Sequence, residues 1–374
     1  MTNSRLFKPL KVGNVSLKHR IAMAPLTRFR ADDSHVPLPL VADYYAQRAS
    51  VPGTLLITEA TFISAQNGGY AKVPGIYTQA QIDAWKKVTD AVHAKGSYIY
   101  LQLWALGRVA DKAQAEKEQI TVKSSSAVPL SPESAQPKEL TVEEIKETVQ
   151  NYGQAAKNAI AAGFDGVEIH GANGYLIDQF IQDNVNKRSD SYGGSIENRS
   201  RFAIEVAQAV VDAVGAERTG IRLSPFSDFQ GMKMEESKIV PQFSDVITKL
   251  HKLNLAYIHL VESRISGNAD IESQERLDPL INLWPGPLLL AGGFKPDSAK
   301  RLVDEEQKDR DNVVVVFGRY FISTPDLVFR VQKGIELNDY NRDTFYNAGS
   351  PVGYVDYPFS KEFLESNPEA KVQA

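Results

Sequence analysis

Short, strongly apolar runs recur along the whole chain and alternate with stretches of helical periodicity. Continuous apolar strands are typical of a parallel sheet that is covered on both faces. Alternating strands and helices build right-handed βαβ units, and eight of these units predict a closed (β/α)8 TIM barrel. A doubly wound open sheet is the alternative. The predicted strands are Ile21–Ala24, Thr54–Thr58, Tyr98–Leu103, Gly166–His170, Gly220–Ser224, Ala256–Val261, Leu288–Ala291 and Val313–Phe317.

Amphipathic helices are predicted between most of these strands. Thr141 followed by Glu144 is a capping box, and Gly163 provides a stop after the last periodic residue of that helix. The predicted helices are Gln79–Lys95, Thr141–Ala162, Glu197–Val214, Ile239–Leu253, Pro296–Glu306 and Thr324–Gly334.

Two additions to the barrel are also predicted. Leu10–Leu17 alternates around a Gly-Asn turn and indicates an N-terminal β-hairpin. A long polar excursion after strand three, from Arg108 to Leu140, contains Ser124-Ser125-Ser126 and three prolines. A connection of this length is usually a functional lid or a flap. No linker or repeat divides the chain, so we expect residues 1–374 to form a single domain.

Composition excludes several classes of protein. The net charge of −4 offers no electrostatic basis for binding nucleic acid or an anionic membrane. The chain has no cysteine, which removes disulfides, thiolate nucleophiles and Cys-ligated zinc. The N-terminus lacks an apolar signal core. We therefore expect a cytoplasmic protein without a membrane partner, and both a monomer and a homodimer remain open.

Barrel enzymes place their chemistry at the carboxyl ends of the strands. The residues predicted there form a wide polar mouth, uncharged to basic, which suits a flat anionic ligand better than a metal. They are Pro25, Leu26, Thr27, Arg28, Glu59, Ala60, Gln102, Trp104, His170, Asn173, Tyr175, Arg222, Gly292, Gly293, Gly318 and Arg319.

The loops after strands seven and eight favour a phosphate-bearing ligand. In barrels these loops commonly bind phosphate through backbone amides, where glycine permits close approach. Here they carry Gly292-Gly293 and Gly318-Arg319. Arg319 adds a forked donor that can bind a phosphate through two hydrogen bonds.

The segment from Gly166 to Tyr175 suggests enolate chemistry. His170 ends a strand, Asn173 and Tyr175 follow it, and the segment as a whole contains three glycines. Two hydrogen-bond donors and one weak acid at a strand end can hold an oxygen that gains charge and then deliver a proton. The alternative is a structurally satisfied histidine beside a Gly-rich turn.

Other enzyme classes are disfavoured. The chain has no G-x-G-x-x-G, P-loop, H-E-x-x-H or G-x-S-x-G motif. A glycosidase needs two facing carboxylates, but Glu168 is expected inside the barrel and strand seven ends in glycines. A phosphate-binding lyase or isomerase would need a lysine or an acid–base pair at the strand ends. A noncatalytic ligand-binding or scaffold barrel is the remaining alternative.

Six motifs stand together in this chain: Ala24-Pro25-Leu26-Thr27-Arg28, Gln102-Leu103-Trp104, His170-Gly171-Ala172-Asn173-Gly174-Tyr175, Asp190-Ser191-Tyr192-Gly193-Gly194-Ser195-Ile196-Glu197-Asn198-Arg199, Arg222-Leu223-Ser224-Pro225 and Phe317-Gly318-Arg319-Tyr320-Phe321. In combination they resemble the old yellow enzyme family, over about residues 5–360. That family is built on a (β/α)8 barrel that binds FMN noncovalently and reduces activated C=C bonds with NADPH. The resemblance therefore implies FMN, NADPH and an enone or enal substrate.

The resemblance also implies roles around the flavin ring. Pro25 and Thr27 would lie at its edge, with the Thr27 hydroxyl donating to the O4 carbonyl. Ala60 would leave room for the ring, and Gln102 would bind its pyrimidine side. Arg222 would place positive charge near N1 and the C2 carbonyl. The residues implied for the phosphate end are Gly292, Gly293, Gly318 and Arg319.

The implied substrate site uses the same mouth. His170 and Asn173 would bind the carbonyl oxygen of the substrate, and Tyr175 would protonate the carbon next to that carbonyl. Trp104 and Tyr346 are implied as substrate-binding residues. Further candidates for the substrate wall are Phe29, Tyr70, Phe229 and Phe294.

Single residues of the sequence indicate which members of the family this chain resembles most. One branch carries a cysteine where Thr27 stands, so a chain without cysteine is excluded from it. Members with phenylalanine at the Tyr175 position can isomerise the double bond, so net reduction is expected here. The stretches Arg48–Thr54 and Gly353–Phe359 look most like fungal members, which include reductases of an unsaturated aldehyde in ergot alkaloid biosynthesis. A general reductase of enones and enals fits these stretches as well as a dedicated alkaloid-pathway reductase does.

Overall fold

Eight parallel strands form a closed barrel, numbered β1 to β8 here. The computed structural model describes residues 4–263, 265–266, 269–270 and 276–368. Going round the barrel, the order is β6-β7-β8-β1-β2-β3-β4-β5. The (β/α)8 prediction is therefore confirmed and the open sheet is excluded. The strands are β1 Ile21–Met23, β2 Leu55–Phe62, β3 Tyr98–Trp104, β4 Gly166–His170, β5 Thr219–Leu223, β6 Tyr257–Val261, β7 Leu288–Ala291 and β8 Val313–Phe317.

Helices cover the outer faces of the strands. Both ends of the helix Val142–Ala161 are as predicted, with a complete capping box at Thr141 and Glu144 and Gly163 at φ 90. No helix of the described residues is long and apolar enough to cross a membrane. The α-helices are Leu40–Arg48, Gln79–His93, Lys112–Lys117, Val142–Ala161, Leu176–Ile181, Ile196–Val214, Glu236–His251, Asp278–Ile281, Pro296–Arg301, Arg319–Ser323, Leu327–Lys333 and Lys361–Ser366.

Several predicted elements have different bounds. The helix predicted over Ile239–Leu253 lies at Glu236–His251. The last predicted helix begins at Leu327 rather than Thr324; Pro325 keeps the residue before it out of the helical region. The predicted Pro296–Glu306 helix is α-helical to Arg301 and continues as a π-helical turn over Leu302–Glu306.

Strand β2 runs on to Phe62, four residues beyond the predicted end. Its pairing with β3 shifts register between Ile57 and Ala60. At this bulge the Glu59 backbone N–H donates to the Tyr45 hydroxyl over 2.9 Å instead of to the sheet. An extra residue in one strand redirects the side chains that follow it. Ala60 therefore lines the barrel mouth, whereas Glu59 packs behind the strand.

The predicted hairpin, Leu10–Val12 paired with Val15–Leu17, is present. Its apolar residues Val12, Val15 and Leu17 pack with Leu55 and Val314 inside the barrel. Buried apolar side chains at this end stabilise the closed barrel by removing their surface from water. The hairpin plugs the amino-terminal end, which leaves the carboxyl end as the open mouth.

The long excursion after β3 is ordered rather than a plain flap. It contains the helix Lys112–Lys117 and a two-stranded parallel ladder of Lys123–Ser124 with Lys138–Glu139. The Ser124 and Ser125 hydroxyls donate to the side chain and backbone oxygens of Gln179, each over 2.7 Å. The excursion is therefore attached to the helix that directly follows Tyr175.

Candidate active site

A cavity of about 550 Å³ opens at the carboxyl ends of the strands. Every residue predicted to bind cofactor or substrate lines it. In the described part of the chain, the only charged side chains of its lining are Arg222 and Arg319, which fits an anionic ligand. The predicted residues in the lining are Pro25, Thr27, Ala60, Gln102, Trp104, His170, Asn173, Tyr175, Arg222, Gly292, Gly293, Gly318, Arg319 and Tyr346.

Two residues expected at the mouth lie elsewhere. The Arg28 guanidinium is fully buried and donates to the backbone oxygens of Phe345 and Gly353 over 3.0 and 2.7 Å. Glu59 accepts the Arg28 backbone N–H over 3.4 Å, and burial raises the pKa of its carboxyl to about 7. Both side chains hold the chain together behind β2, so neither is a candidate for chemistry in the cavity.

The loop after β4 turns sharply enough to aim His170, Asn173 and Tyr175 into one space. Asn173 has φ 58 and Gly174 has φ 77, so two successive residues are left-handed. A Cβ on Gly174 would lie 2.8 Å from Met232 Cγ, so glycine is required there for space as well as for conformation. The Ser224 hydroxyl, on the loop after β5, accepts the Asn173 backbone N–H over 2.8 Å.

His170 is a neutral hydrogen-bond donor toward the cavity. Its Nδ1 accepts the backbone N–H of Ala172 over 3.3 Å, so the ring proton is assigned to Nε2. Burial and the positive charge of Arg222 hold the pKa of His170 well below its ordinary value. The imidazole can therefore stabilise a developing oxyanion without itself becoming charged.

Tyr175 lies against the same histidine. Its ring meets His170 edge-on at 4.9 Å and Trp104 edge-on at 4.8 Å between centroids. Burial raises the pKa of the Tyr175 phenol above its ordinary value. The hydroxyl is thus protonated at neutral pH and available as a proton donor.

The floor of the cavity carries polar groups that fit a flavin ring. Gln102 Nε2 donates to Glu168 over 2.8 Å, which leaves the amide oxygen of Gln102 as the acceptor. Arg222 Nε is buried and has no hydrogen-bond partner among the described residues. A buried donor of this kind lacks the partner it needs, and the polar edge of the FMN pyrimidine ring would supply one.

A buried network supports this floor from below. Glu168 also accepts from the Tyr257 hydroxyl over 3.0 Å and lies 2.9 Å from His259 Nδ1. Burial raises the pKa of Glu168, but the charges of His259 and Arg222 and these hydrogen bonds outweigh it and leave the pKa lowered. The carboxylate is therefore structural, as predicted, and it fixes which way Gln102 faces.

The opposite end of the cavity is suited to a phosphate. Gly293 adopts φ 62, a left-handed conformation that favours glycine. Arg319 begins the helix after β8, and its Nη1 lies 3.3 Å from the Tyr340 hydroxyl. Two glycine loops and a guanidinium beside one cavity fit the FMN phosphate, whereas Arg222 and Gln102 fit its ring.

Aromatic residues form the outer rim. Phe29 and Tyr346 meet edge-on at 5.6 Å between centroids, and Phe29 has φ 56. Tyr346 is 51% exposed and Phe229 is 38% exposed. Exposed aromatic surface beside a cavity marks a place where a ligand can bind. The four predicted wall residues Phe29, Tyr70, Phe229 and Phe294 all belong to the lining.

Sequence reasoning missed several residues of the site. Gln230, in the loop after β5, donates to the backbone oxygen of Asn173, and Arg108, in the excursion after β3, donates to the backbone oxygen of Gln230. Both contacts arise only through folding. The missed residues of the lining itself are Ala24, Val261, Ala291, Val316 and Tyr320.

The barrel and this cavity define an FMN-dependent oxidoreductase. The chain belongs to the NADH:flavin oxidoreductase / NADH oxidase family, whose pattern matches residues 5–338. Within it, the chain is similar to old yellow enzymes: the crystal structure of Old Yellow Enzyme from Pichia sp. AKU4542 superposes with a TM-score of 0.90. The two sequences are 39% identical, and the match covers 96% of this chain and 95% of that chain.

Several fungal proteins are similar to this chain over nearly their whole length. Chanoclavine-I aldehyde reductase of Penicillium roqueforti (strain FM164) is 58% identical, covering 97% of this chain and 98% of its own. An NADP-dependent oxidoreductase of Aspergillus flavus is 52% identical, covering 98% and 99%. A probable inactive dehydrogenase of Claviceps purpurea (strain 20.1) is 51% identical, covering 100% of both chains.

Proposed function

We propose that the protein is an ene-reductase, which takes hydride from NADPH through FMN and reduces the activated C=C bond of an α,β-unsaturated aldehyde or ketone. The observation that carries the proposal is the convergence of a neutral Nε2–H donor on His170, the Asn173 side chain and the protonated Tyr175 hydroxyl on one cavity. This set of groups suits a reaction in which a carbonyl oxygen gains charge and a neighbouring carbon gains a proton.

FMN would supply the hydride chemistry when bound. Arg222 and Gln102 would bind the polar edge of its ring, and the Thr27 hydroxyl and Pro25 would lie along it. Gly292, Gly293, Gly318 and Arg319 would hold its phosphate. Positive charge from Arg222 beside the ring would stabilise the anionic reduced form.

His170 and Asn173 would hold the substrate carbonyl. As the C=C bond is reduced, negative charge builds on the carbonyl oxygen, and two donors already in place lower the energy of that state. Because burial and Arg222 keep His170 neutral, the imidazole donates a hydrogen bond and retains its proton. Trp104 packs against this histidine at 6.1 Å between ring centroids and would limit how the substrate lies.

Tyr175 would complete the reaction. Its O–H bond breaks as a C–H bond forms at the carbon next to the carbonyl, and the enolate returns to a carbonyl. The phenolate then recovers a proton from solvent. A buried phenol is a suitable acid here, because it stays protonated until the enolate forms.

The names of relatives support the finer parts of the proposal. The relative from Aspergillus flavus is NADP-dependent, which supports NADPH as the hydride donor. The most similar one described above is a chanoclavine-I aldehyde reductase, which supports an unsaturated aldehyde as substrate. A dedicated enal reductase of a fungal alkaloid pathway is therefore the specific alternative to a general enone and enal reductase.

The decisive experiment separates the two half-reactions. Purified protein loaded with FMN is reduced by NADPH without oxygen, and the reduced protein is then mixed with cyclohexenone or chanoclavine-I aldehyde. We expect bleaching by NADPH and rapid return of the oxidised spectrum with at least one substrate. Bleaching without reoxidation by either one would instead support a noncatalytic flavin-binding barrel. A large preference for the alkaloid aldehyde would favour the dedicated reductase.

A further inference from the structure

The segment 344–353 near the end of the chain lies at the rim of the cavity, where its Tyr346 belongs to the lining. This segment, the C-terminal strap, consists of turns. Turns have no continuous ladder of backbone hydrogen bonds, so the carbonyl groups of the strap need partners elsewhere. The residues that bind these carbonyls therefore set the position of the strap.

Two arginines that follow β1 converge on the strap beside Tyr346. The side chains of Arg28 and Arg30 are both fully buried. Arg28 Nε and Arg30 Nη1 each donate to the backbone oxygen of Phe345 over 3.0 Å. Both lone pairs of this carbonyl are therefore used, and the peptide group that leads into Tyr346 is fixed in orientation.

The same two side chains hold the far end of the strap. Arg28 Nη2 donates to the Gly353 oxygen over 2.7 Å. Arg30 donates from Nε to the Ser350 oxygen over 3.0 Å and from Nη2 to the Val352 oxygen over 3.3 Å. A guanidinium presents its donors in a rigid planar fork. Each arginine therefore fixes separate points of the strap relative to one another.

Phe29, between the two arginines, faces the cavity instead. Its φ of 56 is left-handed, and its ring belongs to the cavity lining while the side chains on either side of it are buried against the strap. The Phe29 backbone oxygen accepts the Gly349 N–H over 2.9 Å. Its ring meets that of Tyr346 edge-on at 5.6 Å between centroids. One tripeptide thus holds the strap and forms an aromatic pair with it.

This aromatic pair is placed to contact the part of a substrate that is farthest from the reacting bond. Tyr346 is 51% exposed and His170 only 4%, so the pair lies at the outer rim and the carbonyl site lies deeper. A surface that is ordered in advance gains affinity, because no segment has to be immobilised when the ligand binds. A ring on the substrate would bury far more apolar surface against this pair than a methyl group would.

We propose that Arg28 and Arg30 are positioning residues that set substrate specificity: they fix the C-terminal strap so that Tyr346 and Phe29 form a wall for an aromatic ring carried by the unsaturated aldehyde. The preferred substrates are then aryl-substituted enals rather than short aliphatic ones. This inference rests on the proposed function, since the wall belongs to the same substrate site.

The test compares two enals that differ only in the group on the β carbon, which is methyl in crotonaldehyde and phenyl in cinnamaldehyde. Reduced FMN-loaded protein is mixed with each enal, and stopped-flow absorbance gives the limiting rate of reoxidation and the half-saturating concentration. In Arg30→Met, the half-saturating concentration of cinnamaldehyde should rise about tenfold, because the wall must then be ordered on binding. The limiting rates, and both values for crotonaldehyde, should change less than about twofold, because the carbonyl site is not touched.

Arg310→Met is the matched control. Arg310 also donates to backbone oxygens, those of Ile281, Trp284 and Gly286, but it lies just before β8, at the amino-terminal end of the barrel. Its replacement should leave the reactions of both enals unchanged. The same selective loss for cinnamaldehyde in Arg310→Met would show an effect of general stability and would overturn the inference.

Gly349→Ala tests the strap without changing a buried arginine. Gly349 is exposed and adopts φ 67, and a Cβ there would meet only Leu38 Cδ1, at 3.6 Å. Alanine therefore strains the backbone of the strap without a clash. This variant should fold and should weaken cinnamaldehyde selectively, in the same direction as Arg30→Met. In a Tyr346→Ala background, Arg30→Met should add little, because the two residues act through one wall; additive effects would contradict the proposal.

Failure of this inference differs from failure of the proposed function. If the wild-type protein is reoxidised by neither enal and not by cyclohexenone, the proposed function itself is wrong. If the wild type is reoxidised, but Arg30→Met and Gly349→Ala weaken both enals equally or change neither, only the role of the arginines is wrong. Should Arg30→Met not fold, the result for Gly349→Ala decides.

Discussion

At the scale of single residues, the site depends on protonation states that burial sets. His170 is held neutral and Tyr175 is held protonated by the same dry surroundings, with Arg222 adding to the effect on the histidine. Each group is therefore in the form that it needs before a substrate arrives. A more open site would leave the histidine partly charged and its ring nitrogens bound to water.

Replacing the proton donor should affect one half-reaction only. In Tyr175→Phe, reoxidation of the reduced flavin by an enone should slow by roughly a hundredfold or more, the range for loss of a general acid. Reduction by NADPH should be nearly unchanged. Stopped-flow absorbance of the flavin measures both rates.

A matched control for this variant is Tyr98→Phe, at the amino-terminal end of β3 and away from the cavity. It should behave as wild type in both half-reactions. Equal losses in the two half-reactions of Tyr175→Phe would show that the phenol supports the site without donating the proton.

Removing the imidazole should weaken the binding of phenolic ligands. Phenolates resemble the enolate in carrying charge on an oxygen, and His170 Nε2–H is positioned to donate to it. His170→Ala should weaken this binding about tenfold or more, since one hydrogen bond to an ionised oxygen is lost. The long-wavelength absorbance that such ligands induce in bound flavin reports the affinity.

The exposed His251, which packs on Trp284 at 5.7 Å between centroids, provides the control as His251→Ala. Unchanged phenol affinity in His170→Ala would contradict the assignment of the anion site.

At the scale of secondary-structure elements, the strands were more predictable than the loops. Each apolar run was recognisable because both of its faces are buried, and closure of the barrel then necessarily brings the eight strand ends together. This is why Gln102, His170 and Arg222 could be assigned to one mouth from the sequence. The bulge before Ala60 was not predictable, because it depends on a contact between Tyr45 and the Glu59 backbone.

The contacts between loops could not be predicted from the sequence. Arg108 and Gln230 meet only because two loops that are distant in sequence fold against each other. The positive φ of Gln230 has no local signal, since glutamine rarely adopts it. The excursion was recognised by its length, but its attachment to Gln179 through serine hydroxyls required the tertiary structure.

His19, two residues before β1, should make the free energy of unfolding depend on pH. Burial lowers the pKa of His19 to about 3, and its ring lies between the Thr54 hydroxyl and the Ile21 backbone N–H. The histidine has a pKa of about 6.5 in the unfolded chain. As the pH falls below that value, the unfolded chain binds a proton at His19 and the folded chain does not. The contribution of His19 to the free energy of unfolding is therefore full above about pH 6.5 and decreases as the pH falls. From pH 7 to pH 5 this loss amounts to roughly 2 kcal/mol.

Urea unfolding at a fixed FMN concentration measures this effect. His19→Gln should lower the free energy of unfolding at pH 7, and its deficit relative to wild type should shrink by about 2 kcal/mol at pH 5. His251→Gln, at an exposed position, is the control for replacing a histidine with glutamine. A deficit that is the same at both pH values would mean that His19 is protonated in the folded protein.

At the scale of the whole molecule, the residues that stabilise the barrel lie at its amino-terminal end and in its middle, and the candidate active site lies at its carboxyl end. The hairpin and the apolar lower layer close one end, and the network around Glu168 forms a polar floor in the middle. The mouth above this floor contains the remaining polar groups and the aromatic rim. Binding of FMN across this mouth would stabilise the folded chain by mass action, because the unfolded chain has no such site.

The central claim is that this mouth binds FMN with its phosphate at the loops after β7 and β8. The most direct measurement is a fluorescence titration of the apoprotein with FMN and with riboflavin, which lacks the phosphate. Riboflavin should bind about a hundredfold more weakly, since at least two charge-assisted hydrogen bonds are lost. Arg319→Met should weaken the binding of FMN and hardly change the binding of riboflavin. Arg301→Met, at an exposed arginine, should change the affinity for neither flavin. Equal affinity for the two flavins, or binding of neither, would contradict the account.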